Sequence, residues 1–140
     1  MSHTPRQDHT ADDEAIPAVA ALNETVLHPD AGRTVADFTR LFDALSHPAR
    51  LGALYTIHDR EGATHTELAD ALDAEGNGLN HHLRAIIETP LVRKTPCESD
   101  RRKMIYTLTP LGERIVSQVL EMMETERKTI ENQYLDSDAS

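Results

Sequence analysis

Residues 67–108 read ELADALDAEGNGLNHHLRAIIETPLVRKTPCESDRRKMIYTL, and the order of patterns in this stretch decides the fold. Leu68, Ala69 and Leu72 fall at helical spacing behind Thr64-His-Thr-Glu67, whose Thr and Glu have the spacing of a capping box. Asp73-Ala-Glu-Gly-Asn-Gly78 follows as a turn, rich in residues that accept positive φ. Residues 79–89 then read as another helix. At about 100° per residue, Leu79, Leu83, Ile86 and Ile87 share one side, while Asn80, His81, Arg84, Ala85 and Glu88 face away and His82 lies at the border. Two short helices across a tight polar turn match a helix-turn-helix. Residues 91–95 and 103–108 read as strands, with Met104, Tyr106 and Leu108 alternating with Ile105 and Thr107 and the tip at Pro96-Cys-Glu-Ser-Asp100.

Upstream, Thr34-Val-Ala-Asp37 is a second capping-box pattern, and Val35, Phe38, Leu41, Phe42 and Leu45 make one apolar stripe behind it. Ser46-His-Pro48 ends that helix and starts the next, since a proline in the first turn loses no hydrogen bond. This next helix carries Leu51, Leu54, Tyr55 and Ile57 and stops near Glu61-Gly62. Residues 1–13 are expected to be disordered, and a short helix over 17–27 is anchored only by Ile16, Val19, Val26 and Leu27. Downstream, Thr109-Pro110 opens a long helix running past Arg127, with Leu111, Ile115, Val119, Met122, Met123 and Ile130 as its apolar face. The expected architecture is mainly α with a small β-hairpin wing, a winged helix-turn-helix dimerising through terminal helices. Its expected divisions are an acidic extension (1–33), a winged domain (34–109) and a dimerisation helix and tail (110–140).

A chain of 140 residues with 4% aromatics and no Trp has a thin core, which favours burial against a second copy. No stretch approaches the roughly 18 apolar residues of a membrane span and no signal sequence opens the chain, so a cytoplasmic protein without a membrane partner is expected. The net charge of −10 is unfavourable for a phosphate-bearing partner, but it is unevenly spread. Residues 1–33 hold two basic side chains against six acids, and 110–140 three against seven. From 84 to 108 six basic residues (Arg84, Arg93, Lys94, Arg101, Arg102, Lys103) face three acids. Only three Lys against abundant Asp and Glu resembles a haloadapted composition, in which strong brine screens distant acids; an ordinary acidic mesophilic protein is the alternative.

A polar helix face opening with Asn and Arg suits a major-groove reader, because Arg can bond guanine twice and Asn can both donate to and accept from adenine. Any amphipathic helix has a solvated face, and charged strands also protect edges; a basic hairpin following such a helix makes the pair informative. The expected contacts to double-stranded DNA are Asn80, His81 and Arg84 to bases, with Asn77 in the turn before them. Thr64 at the positive end of its helix, and Arg101, Arg102 and Lys103 on the wing, would hold the backbone.

By these segments the chain resembles the ArsR-type winged-helix repressors. LFDALSHPARLGALYTI (41–57) is similar to that family's opening helices, 67–94 to its helix-turn-helix with the His82-Leu83 pair, and RRKMIYTLTPLGERI (101–115) to the end of a wing in ArsR-type and MarR-type regulators. The likeness spans about residues 35–120 and implies an operator-binding homodimer. Its metal sites do not carry over: the helix that bears Cys-x-Cys in many members reads Thr-Glu-Leu-Ala-Asp-Ala-Leu here, and 110–140 contain no His.

Eight scattered His do not compose a metal site, and His81 and His82 point about 100° apart. Neither a metal nor another cofactor is expected, nor an enzyme, for want of a catalytic motif. Two alternatives stay open. One is a winged-helix module that binds protein within a transcription assembly. The other is a regulator responding to oxidation of Cys97, whose thiolate the nearby Arg93, Lys94 and Arg101 would favour.

Overall fold

The computed structural model describes residues 16–139 except Pro29 and Ala31, with side chains to 135. The expectation for 1–13 lies outside these residues. The described residues divide into two compact units, the first ending at His47 and the second beginning at Pro48.

In the first unit, α1 (Pro17–Thr25) and α2 (Val35–Leu45) are tied by Val35 N–H, which donates to Asn23 Oδ1 at 3.0 Å. The Thr34–Asp37 capping box forms as its spacing predicts, each side chain meeting the other's backbone N–H. The expected anchors Ile16 and Val26 are instead exposed, leaving Val19, Ala20, Asn23 and Leu27 on the covered side of α1. Along α2, Leu41 and Ala44 are buried while Phe42 is exposed. Phe42 stays in contact with Phe38, ring centroids 6.3 Å apart.

The second unit opens with α3 (Pro48–Asp59), which buries Ala53, Leu54, Thr56 and Ile57. Tyr55, expected on the apolar side, points out. Thr56 is a buried hydroxyl satisfied locally, donating to Gly52 O at 2.8 Å. The chain reverses through Glu61 and Gly62, both with positive φ, and Gly62 N–H caps Ile57 O at 2.9 Å.

The strand β1 (Ala63–Thr64) comes next and was not expected, because two residues cannot show alternation. It pairs antiparallel with β3 (Met104–Leu108), which pairs in turn with β2 (Val92–Pro96), giving the order β1-β3-β2. Between β1 and β2 lie α4 (His65–Leu72) and α5 (Gly76–Ile87). Leu68, Leu79, Leu83 and Ile86 from these helices join Leu54, Ile57, Leu91, Val92, Tyr106 and Val116 in one buried core.

The turn between α4 and α5 is shorter than the sequence suggests. Asp73 ends α4 in the left-handed region, Glu75 is extended, and α5 begins at Gly76, so Gly76-Asn77-Gly78 is the first helical turn. Glycines permit a turn without requiring one.

The last helix, α6 (Pro110–Ala139), has 30 residues and is about 45 Å long. Thr109 Oγ1 accepts from Gly112 N–H at 3.1 Å, the N-cap the sequence predicts. Val116 is buried, Leu111, Ile115, Val119 and Leu120 are partly covered, and every side chain from 121 to 135 is exposed. Among the described residues no helix is long and apolar enough to cross a membrane.

Candidate nucleic-acid interface

The amphipathic pattern of α5 fixes which residues it turns outward. Burial of Leu79, Leu83 and Ile86 leaves Asn80, His81 and Arg84 exposed. Because α5 starts three residues early, Asn77 joins this face, about 20° around the helix from Arg84. Arg84 has no acidic partner among the described residues, so its guanidinium fork is not already engaged.

The first turn of α4 lies beside this face. Thr64 Oγ1 accepts from Glu67 N–H at 3.2 Å and donates to Glu67 Oε1 at 3.0 Å, which commits the Thr64 hydroxyl to the cap. Glu67 in return accepts from Thr64 N–H at 3.1 Å and pairs with Arg60 at 3.2 Å. Hydrogen bonds from the Thr64 backbone and hydroxyl, then Arg60, hold the Glu67 carboxyl below the usual range, so it stays ionised in mild acid. The N–H groups of His65 and Thr66 have no intrahelical acceptor, as in any first turn. Thr64 therefore shapes this end of the helix, while His65 and Thr66 present it.

His65, which the sequence reading passed over, bridges the two helices. Its Nε2 lies 3.3 Å from Asn80 Oδ1, so the starts of α4 and α5 form one continuous polar surface.

The wing closes the other side. A cleft of about 650 Å³ runs between Thr64–Glu67 and the side chains of Lys94, Arg102 and Lys103, floored by Met104 and Tyr106. Lys94 Nζ sits 5.8 Å from the centre of the Tyr106 ring, a cation–π contact that holds the ammonium at the cleft. Burial pushes the Tyr106 phenol up, so the ring stays neutral. At the tip, Asp100 accepts from Arg102 N–H at 3.1 Å and pairs with its guanidinium at 3.5 Å. Arg101 and Lys103 are exposed and have no acidic partner among the described residues. The wing thus keeps a net positive edge next to α4. Lys94 belongs to that edge although only the charge count of the segment pointed to it.

Cys97 lies at the wing tip, its Sγ 3.2 Å from Ser99 Oγ. Its thiol is held below the ordinary range by hydrogen bonds from the Ser99 hydroxyl, then from the Ser99 and Asp100 backbone. The expected cause is corrected: basic neighbours are not responsible, and the Asp100 charge opposes the shift. Alkylation of Cys97 by iodoacetamide is expected to reach half-maximal rate below the pH of a free cysteine, whose thiol titrates near ~8.5. Ser99→Ala should move that midpoint upward; a midpoint equal to free cysteine in the parent chain would contradict the geometry.

The sequence-derived dimer face separates into two parts. Leu111, Ile115 and Val119 are half-buried, while Met122, Met123 and Ile130 are exposed. Tyr134, which was not assigned to this face, falls on the same stripe, and Met122, Met123, Ile130 and Tyr134 are between 44% and 71% exposed. Among the described residues no group of three or more His, Cys, Asp or Glu is arranged around a metal position.

No protein-family model matches the chain, and no curated protein is significantly similar to it. Solved structures are similar in fold. MepR of S. aureus in its DNA complex aligns with a TM-score of 0.53 and 20% identity over 74% of this chain and 88% of MepR. The transcriptional repressor BigR of Xylella fastidiosa aligns at 0.53 and 20% identity over 63% of this chain and 87% of BigR. The antimony-specific transcriptional repressor AntR aligns at 0.57 and 19% identity over 70% of this chain and 86% of AntR. With α4 and α5 followed by the β2–β3 hairpin and β1 closing the sheet, the chain has the winged-helix fold of these transcription regulators.

Proposed function

We propose that this chain is a sequence-specific DNA-binding transcription regulator of the ArsR type, acting as a homodimer on a palindromic promoter site. The carrying observation is the joint exposure of Asn77, Asn80, His81 and Arg84 on one side of α5, next to a wing edge bearing Lys94, Arg101 and Lys103. An α-helix fits the major groove, and the cations would meet flanking phosphates. Fold likeness to MepR seen with DNA supports the reading. The bare stripe on α6 supports the dimer, whose two α5 helices would read half-sites roughly 34 Å apart. The acidic, Lys-poor composition supports a haloadapted version, in which brine shortens the reach of the acids to about 3 Å.

Arg84→Ala is expected to relax base preference at one position of each half-site and to cost about 1–3 kcal/mol of specific binding. Fluorescence anisotropy on a panel of single-base operator variants measures this. Unchanged affinity across the whole panel would contradict a base-reading role. The net charge of −10 favours a second reading, a winged-helix module that binds protein. That reading predicts no sequence preference on duplex DNA at either low or molar salt.

A further inference from the structure

His65 and Asn80 are fifteen residues apart and belong to different helices, yet they are in hydrogen-bond contact at 3.3 Å. An amide oxygen can only accept, so this contact requires the His65 form that carries a proton on Nε2, which then donates to Asn80 Oδ1. This has a direct chemical consequence. An unrestrained asparagine rotates its amide and offers either its oxygen or its nitrogen to a base. With one of the two Oδ1 lone pairs engaged by His65 and the amide plane turned accordingly, Nδ2 keeps both of its N–H donors free.

We infer that His65 is a positioning residue for Asn80, setting which base edge Asn80 accepts. This rests on the DNA-binding reading above and deepens it. A major-groove edge that offers acceptors, such as N7 and O6 of guanine, suits a side chain presenting donors. Cytosine offers there only its N4 donor group and is disfavoured. His65 is well placed for the role: it is exposed, it stands at the first position of α4 beyond the Thr64 cap, and it lines the cleft that Lys94, Arg102 and Lys103 face. The bond thus couples the helix face that reads bases to the surface that meets the backbone. It also removes rotamer freedom from Asn80 before DNA arrives, lowering the ordering cost of binding.

The test measures discrimination among all four bases at the position that Asn80→Ala perturbs, using labelled duplexes and fluorescence anisotropy. Parent, His65→Ala, His65→Gln, Asn80→Ala, the His65→Ala/Asn80→Ala double variant and Arg84→Ala are compared, with thermal melts checking that each is folded. The inference predicts that His65→Ala lowers the preference against cytosine there by about 3- to 10-fold, the worth of one net hydrogen bond. It predicts no further loss when His65→Ala is added to Asn80→Ala, and partial rescue by His65→Gln, whose amide can still donate. The inference is overturned if His65→Ala keeps parental discrimination, weakens binding equally for all four bases, or adds fully to Asn80→Ala. If Asn80→Ala and Arg84→Ala alter discrimination and His65→Ala does not, only the role of His65 falls. If none of the variants alters discrimination at any position, the DNA-binding reading itself fails.

Discussion

Replacing Met123 and Ile130 together with aspartate is expected to leave the chain monomeric, where the proposed homodimer forms in the parent, and to lower affinity for an inverted-repeat duplex by about 100-fold or more. The size follows from avidity: two linked reading helices gain roughly 10²–10⁴ over one, and a monomer forfeits that gain. Met122, Met123, Ile130 and Tyr134 form an exposed stripe among the described residues. In a symmetric dimer the stripe would lie against its own copy, so each substitution places two carboxylates, one per protomer, in an apolar seam. Because both side chains are exposed within one protomer, the winged domain should keep its helical signal and most of its thermal stability. Sedimentation equilibrium and duplex binding together check this result. A variant that stays dimeric, or a monomer that binds as tightly as the parent, would contradict the assignment.

Gly112→Ala is expected to destabilise the winged domain by about 3 kcal/mol, a fall in melting temperature of roughly 10 °C. Gly112 lies in the first turn of α6, pressed onto the backbone of Leu91 just before β2. A methyl group there would overlap the Leu91 carbonyl oxygen, which already accepts from Thr109 N–H at 2.9 Å. Backbone cannot step aside as a flexible side chain does, so the start of α6 must shift and the Thr109 cap with it. Gly78→Ala supplies the contrast. A methyl at Gly78 meets nothing within 4 Å, and the residue is helical without positive φ, so alanine should raise stability by about 0.5–1 kcal/mol. Calorimetry on both variants should show opposite signs. A melting temperature for Gly112→Ala equal to that of the parent would mean that α6 does not sit on Leu91 as described.

Much of this architecture is written locally. The capping boxes at Thr34–Asp37 and Thr64–Glu67 and the Thr109-Pro110 start form as their spacing requires, because each involves neighbours within one turn. The polar face of α5 and the basic hairpin were legible for the same reason: period and charge are visible without knowing the fold. What was hidden depends on meetings between distant segments. β1 is two residues paired with a strand some forty positions later, and no periodicity marks it. Phe42 and Tyr55 have core chemistry but exposed positions, and Val116 is buried where the stripe of α6 suggested its neighbours. His65 looks like any polar residue after an N-cap until α5 folds back and places Asn80 against it. Gly112 likewise reads as an ordinary helical glycine until Leu91 arrives.

The most direct test of the α5 and wing assignment is selection of duplexes from a random double-stranded pool by the purified full chain, at low and at molar salt. Enrichment of an inverted repeat whose half-sites are centred about one helical turn apart is expected. Arg84→Ala and Asn80→Ala should each degrade defined positions within the half-site. A pool that stays random at both salts, or an enriched motif that is the same in the parent and in both variants, would contradict that assignment.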